Sequence, residues 1–289
     1  MKRCPVCHDT FERDDWRCAN CGRMPQEADG FVAFAPDLAR SNDGFSADYF
    51  GQLQALEARH FWFRARNRLL QWTFASCFPG AGSFLEIGCG TGFVLTGMRD
   101  RFPSLRLAGS EIFTGGLHVA QRRLPGITLF QMDARQLPFD SEFDVIGAFD
   151  VLEHIEEDER VLSEMFRSCR PGGGVMLTVP QHQFLWSRVD EYAHHKRRYS
   201  RRELLDKVER AGFRTMLVTS FVSTLLPLML LSRWKRNRAA AEFDPLAEYR
   251  IGPLVNSALE GVLAGERFLI TMGVSFPVGG SLLVAARKP

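Results

Sequence analysis

The run Phe84-Leu85-Glu86-Ile87-Gly88-Cys89-Gly90-Thr91-Gly92-Phe93 decides the fold. An apolar strand enters three glycines at alternating positions, and helical spacing resumes at Val94, Leu95 and Met98. In a doubly wound sheet such a loop lies at the carboxyl end of the first strand, where ligands bind at the topological switch point. A dinucleotide fingerprint spaces its glycines Gly-x-Gly-x-x-Gly. Here the spacing is Gly-x-Gly-x-Gly, and Glu86 just ahead of it would repel a pyrophosphate.

Working outward, apolar runs alternate with helical patterns, the mark of a parallel sheet covered by helices on both faces. Strands are expected near Ser83 to Ile87, Leu105 to Glu111, Ile127 to Gln131, Phe143 to Phe149 and Gly174 to Val179. Two more follow, near Thr215 to Phe221 and Ser281 to Arg287, with Ser200-x-x-Glu203 opening a helix that ends at Gly212. Between those last strands lies an insertion over about 222–279, with a second helix from Pro253 to Ile270.

Acids recur at successive strand ends. Glu86 suits the cationic amino-acid end of S-adenosylmethionine, and Glu111, nineteen residues beyond Gly92, suits both hydroxyls of a ribose. Asp133 after the third strand can accept the adenine amino group, or can cap a turn.

With these motifs in view, residues Ser83 to Val179 resemble a class I S-adenosylmethionine-dependent methyltransferase of the small-molecule type. FLEIGCGTGF, Glu111, MDARQLPF, FDVIGAFDVLEHI and RPGGGVMLTVP occur in the family's order. The resemblance implies an α/β, doubly wound, seven-stranded sheet whose last strand is antiparallel. It transfers cofactor contacts to Glu86, Gly88, Gly90, Glu111, Asp133 and Ala134, with Cys89, Gly92, Ile112 and Phe149 beside them. The later segment LWSRVDEYAHHKRRYSRREL, Leu185 to Leu204, is similar to bacterial members linked with sugar or lipid modification and to polyprenyl-quinone O-methyltransferases. An O-methyltransferase acting on a small-molecule, saccharide or lipid-linked acceptor is the expectation.

Methyl transfer needs positioning and a deprotonated acceptor more than an acid. His154 and His195 are the base candidates; backbone bonding of His154 and a solvated role for His195 are the alternatives. Asp150, Glu153 and His154 stand at i, i+3 and i+4, so a helix there would converge them on a divalent ion such as Mg2+. Asp190, Arg197, Arg198 and Tyr199 form a polar set where acceptors enter, and the two arginines could fork a phosphate or carboxylate. Pairing of those arginines with Asp190 and Glu191 is the competing reading.

The first thirty residues are a separate unit. Cys4-x-x-Cys7 and Cys18-x-x-Cys21 have the spacing of a zinc ribbon, in which two knuckles close a tetrahedral thiolate shell around a structural Zn2+. Residues 31–80 read as a linker and N-terminal helices over the cofactor cleft, with aromatic His60-Phe61-Trp62-Phe63 as packing or as a lid that turns His60 or Arg64 toward substrate; residues 81–289 read as the methyltransferase domain.

Composition narrows the rest. The 289 residues carry a net charge of +2 and seven cysteines, four of them in the ribbon, so neither a globally basic nucleic-acid binder nor a disulfide framework is expected. The ribbon sets Arg13 and Arg17 against Asp9, Glu12, Asp14 and Asp15, a poor attractor of phosphate. This weighs against a zinc-ribbon RNA methyltransferase, while the intact glycine loop weighs against a non-catalytic cofactor-binding scaffold. A polar, cysteine-bearing N-terminus suggests a cytoplasmic protein. Apolar Phe221 to Leu231, followed by Arg233, Trp234, Lys235, Arg236 and Arg238, is expected as a helix that lies peripherally on the inner membrane surface or packs on the sheet.

Overall fold

A computed structural model describes residues 1–13, 15–39, 47–238 and 250–289. Strand β5 (Ser83–Ile87) is buried at all five positions, as a central parallel strand covered on both faces must be. Around it lie β6 (Arg106–Glu111), β7 (Thr128–Gln131), β8 (Phe143–Phe149) and β9 (Cys169–Pro180), all parallel; β11 (Ser281–Arg287) runs antiparallel between β9 and β10 (Arg214–Phe221). The order β10-β11-β9-β8-β5-β6-β7 is the expected seven-stranded, doubly wound sheet.

Helices α3 (Phe93–Arg101) and α4 (Thr114–Arg123) cover one face, together with α2 (Phe61–Cys77). Helices α5 (Asp158–Ser168) and α7 (Arg201–Arg210) cover the other. Fully buried Leu70, Leu95 and Leu117 on the first side and Leu162, Met165 and Leu204 on the second make two cores. Each such side chain contributes about 1.5–3 kcal/mol relative to exposure. Helix α1 (Ala47–Glu57) precedes α2, and a short α6 (Arg188–Tyr192) precedes α7.

The N-terminal unit does more than sit beside the domain. Its β1 (Lys2–Arg3) and β2 (Thr10–Phe11) pair with each other, while β3 (Gln26–Ala28) and β4 (Phe31–Ala33) form a hairpin that extends the main sheet to nine strands. Residues 26–33, expected to end the ribbon and begin a linker, are therefore part of the sheet. Asp29 and Gly30 both have positive φ, 51° and 84°, the twist a two-residue hairpin turn requires. Val32 and Ala33 then pair parallel with Phe130 and Gln131 of β7. Trp16 is wedged edge-on between Phe34, Phe130 and Phe139, with centroids 4.8, 5.5 and 5.8 Å away.

The insertion holds α8 (Leu226–Arg238) and α9 (Pro253–Thr271), and α9 packs along α2. The expected helix from Phe221 to Leu231 begins later than its apolar run, because Phe221 is still a sheet residue opposite Ser281 and Val222 turns the chain at φ 60°. The side chains of residues 233–238, and with them the basic flank, lie outside the described residues. Among the described residues no helix is long and apolar enough to cross a membrane.

Candidate active site

Gly88, Gly90 and Gly92 have φ of 67°, 49° and 74°, a conformation that costs other residues about 1–2 kcal/mol. At Gly88 a Cβ would lie 2.5 Å from Cγ2 of Val151, so β5 and β8 can end side by side only with glycine there. Over the loop lies α1. Its buried Phe50 approaches Gly90 and Gly116, and its Glu57 accepts hydrogen bonds from Thr91 Oγ1 at 2.7 Å and Arg123 at 2.8 Å. Burial pushes the Glu57 carboxyl up, against the opposing pull of Thr91 and Arg123. Sequence reasoning missed Phe50, Glu57 and Arg123, since no local motif links residues this far apart. Of the two readings of this segment, packing or a lid that turns His60 or Arg64 toward substrate, the contacts seen are structural: His60 caps α2 through the Trp62 N–H, and Arg64 pairs with Glu260 of α9.

Two acids flank the loop. Glu86 is buried, its Oε2 has no hydrogen-bond partner among the described residues, and burial raises its carboxyl well above the ordinary carboxylate range despite Arg66 nearby. A cationic ammonium group brought beside it would relieve both conditions. Glu111 accepts from Gly90 N at 3.1 Å, Ile112 N at 2.8 Å and Phe113 N at 3.3 Å. Burial raises its carboxyl too, and those three N–H groups counter it.

The remaining expected cofactor residues divide. Ala134 is buried beside Asp133, whose carboxylate accepts from the Arg135 N–H at 2.8 Å and pairs with the Arg135 guanidinium. The Cys89 thiol is buried and pushed well above its ordinary value by that burial. The Phe149 ring stacks on Phe84 in the core with centroids 6.5 Å apart.

The stretch after β8 corrects the expected metal face. Asp150 takes φ 59° and the following turn is a single 3-10 helix over Leu152–His154, so Asp150, Glu153 and His154 share no helical face. Asp150 instead accepts from Thr178 Oγ1 at 3.2 Å and pairs with Arg66 of α2. The groups that do converge are Glu153, His154 and His195, whose donor atoms lie within 4.8 Å of one another. Glu153 is fully buried with neither carboxylate oxygen bonded among the described residues, and burial followed by the Asp150 charge raises it well above the ordinary range.

His154 and His195 meet edge to face with centroids 4.7 Å apart. Burial, then the neighbouring His195, depresses His154 to about 3. The folded value lies below the ordinary one, so the unfolded chain takes up the proton first. His154 therefore contributes stability above about pH 6.5 that is lost as pH falls toward about 3. Urea midpoints at pH 7 and pH 4.5 should differ less for His154→Phe than for the unsubstituted chain; an equal difference would show that His154 does not govern this range.

His195 is oriented from behind. Its Nδ1 lies 2.9 Å from Asp190 Oδ1, and Asp190 Oδ2 accepts from Ser187 N and Oγ at 2.8 and 2.9 Å. Burial opposes ionisation of Asp190, but His195 and Arg198 outweigh it and hold the carboxyl well below its usual range. The expected arginine fork is not formed. Arg198 is buried against Asp190 at 2.8 Å, while Arg197 points to Asp158 at 3.1 Å and Glu156 at 3.2 Å. Tyr199, expected on the acceptor side, is fully buried and donates to Asp158 Oδ2 at 2.6 Å. Alternating directions along an extended backbone separate neighbouring side chains, and the pairing with Asp190 takes Arg198 inward.

The four ribbon cysteines bring their sulfurs within 4.8 Å of one another, with Cys4 and Cys21 3.6 Å apart and Cys7 and Cys18 3.5 Å apart. Zinc–sulfur bonds of about 2.3 Å would set tetrahedral sulfurs about 3.8 Å apart. Burial pushes the Cys4 thiol up, but the N–H groups of Cys7 and Val6 bring it down to about 7. Arg23 N–H pulls Cys21 down, yet burial and the other three thiols drive it to about 12. Four sulfurs so close are placed to share one cation, and the cluster fits a zinc ribbon.

Comparison with known proteins agrees with this architecture. A phosphatidylethanolamine N-methyltransferase of Cereibacter sphaeroides is 38% identical over 106 residues, covering 33% of this chain and 49% of the relative. A ubiquinone/menaquinone biosynthesis C-methyltransferase of Desulfotalea psychrophila is 32% identical over 98 residues, covering 33% of this chain and 40% of the relative. The matched segment thus spans half or less of either relative. The fold matches phosphoethanolamine N-methyltransferase 2 of Haemonchus contortus, solved with S-adenosyl-L-methionine, at a TM-score of 0.59 and 19% identity, covering 90% of this chain and 61% of that one. The model of the methyltransferase domain family matches residues 54–218, more than half of the chain. With its glycine loop, strand-end acids and sheet order, the chain belongs to the methyltransferase domain family.

Proposed function

We propose that the chain is an S-adenosylmethionine-dependent methyltransferase that methylates a hydroxyl oxygen on a small-molecule, saccharide or lipid-linked acceptor. The observation that carries this reading is Glu86: a buried carboxylate with an oxygen unpartnered among the described residues, at a strand end beside a positive-φ glycine loop. Glu86 would hold the ammonium group, Glu111 the ribose hydroxyls, and Asp133 with Ala134 the adenine edge. Cys89, Gly92, Ile112 and Phe149 would complete the wall chiefly through backbone. The bound cofactor supplies a methyl group on a cationic sulfur.

His195 acts as the base. The Asp190 carboxylate holds the proton on Nδ1, which leaves the Nε2 lone pair to take the acceptor hydroxyl proton as oxygen becomes the nucleophile. His154, depressed to about 3, stays neutral beside it and does not repel the proton His195 receives. Arg198 and Tyr199 position rather than touch substrate: Arg198 fixes Asp190, and Tyr199 with Arg197 fixes Asp158 at the start of α5. The four cysteines are proposed to hold structural Zn2+.

Calorimetric titration with S-adenosylmethionine tests the cofactor site. Glu86→Gln keeps the shape but removes the charge, and should weaken binding about 10-fold or more, the worth of one charge-assisted hydrogen bond. Equal affinity would remove Glu86 from the site, and no binding by the unsubstituted chain would leave a scaffold. Incubating labelled cofactor with cell extract, then separating lipid, RNA and soluble fractions, tests the acceptor class. Label confined to RNA would overturn it.

A further inference from the structure

The fully exposed positions of α9 carry no charge, while its Arg267 is half-buried. Leu254, Val255, Val262, Phe268 and Leu269 are exposed, as are Ala258, Gly261 and Gly265 between them, and Leu254 and Phe268 are 86% and 61% exposed. Positions 254, 258, 261, 265 and 268 follow one helical stripe, which Met272, 70% exposed, continues just beyond the helix. The acids of α9 are turned the other way: Glu260 pairs with Arg64 and Arg68, and Glu266 accepts from Thr224 N at 2.7 Å. A surface helix normally does the reverse, burying its apolar stripe and wetting its charges.

Helix α8 exposes further apolar side chains. Leu228, Leu230 and Leu231 are between 41% and 52% exposed. Residues 226–238 also carry four cations, one tryptophan and no acid. Apolar side chains combined with cations and a tryptophan are what an anionic bilayer surface accommodates, with the first entering the acyl boundary and the others staying among headgroups.

We infer that the insertion is a lipid-docking surface: α9 lays its charge-free stripe into the boundary of an anionic bilayer, and the cations that the sequence carries after Leu231 meet its headgroups. Bilayer docking does not rest on the function proposed above.

Flotation of the full chain with phosphatidylcholine vesicles containing 30% phosphatidylglycerol, judged by the ~8 Å screening length at physiological salt, separates the outcomes. The protein should float with these vesicles, float less with pure phosphatidylcholine, and lose at least 10-fold in bound fraction on Leu254→Glu with Phe268→Glu. Calorimetric affinity for S-adenosylmethionine should stay unchanged in that variant, which shows that it folds. Protein remaining at the bottom with both vesicle types overturns the inference. So does a dimer mass by light scattering that the same substitutions return to monomer without lipid, because the stripe would then belong to a second copy.

Discussion

His195→Ala is expected to lower kcat about 10²–10⁴-fold, the usual worth of a positioned base, while cofactor affinity stays within about twofold. The ring is linked to the protein through one strong contact, Nδ1 to Asp190, so alanine removes the base without opening the Asp190–Arg198 pair behind it. Asp190→Asn is a harsher change. It strands Arg198 in a buried position, where loss of a partner typically costs about 3–5 kcal/mol. For that reason the informative companion is His195→Gln, which keeps a polar group but cannot act as a base. Label transfer into the acceptor fraction should then fall as far as in His195→Ala. If His195→Ala transfers label at the original rate, proximity alone drives the reaction and the base assignment falls.

Stripping the ribbon should be nearly as costly, through a different route. Cys7→Ser with Cys21→Ser leaves two thiols, and the roughly 10–16 kcal/mol that such a site draws from zinc is lost to a unit too small to build its own core. Among the described residues Cys4, Phe11 and Cys18 are its buried apolar centre. Unfolding there withdraws Trp16 from Phe130 and Phe139, and frees the β3–β4 hairpin from β7. The consequence reaches the cofactor site. Gln131 of β7 donates to both Ala35 O and Ile112 O, and Asp29 accepts from Thr114 Oγ1, so the turn after Glu111 is braced from the ribbon side. Cofactor affinity should fall about 10-fold together with a shift in tryptophan emission. Ribbon unfolding with unchanged affinity would make the two units independent.

Much of the sheet was legible because its signals are local. Strand apolarity, the alternating glycines and an acid at each strand end all arise within ten residues or fewer, where backbone sterics decide the outcome. Gly88 illustrates this, since its positive φ and its contact with Val151 both follow from where a strand must turn. The His154 and His195 candidates were visible as residue types near strand ends. Their convergence with Glu153 was not, because it depends on the path of the chain from β9 through α6 back to the turn after β8.

Two expectations failed for a related reason. A helical period was assumed from Asp150 to His154, but Asp150 is held out of it by Arg66 from α2 and Thr178 from β9. The Arg197–Arg198 fork assumed that adjacent cations act together, yet buried Asp190 and Asp158 draw them apart.

The glycine loop, the order of strand-end acids and the paired Cys-x-x-Cys knuckles were determined by sequence alone, since each depends on spacing that short-range geometry converts directly into shape. Tertiary structure decided which charges are spent inside the molecule and which surfaces stay bare. Arg198 and Tyr199 became internal because desolvated partners were waiting for them, and α9 turned its acids toward α2 and Thr224 while its apolar stripe faced outward. Periodicity marks a helix as two-faced, but only packing against a particular neighbour decides which face is buried.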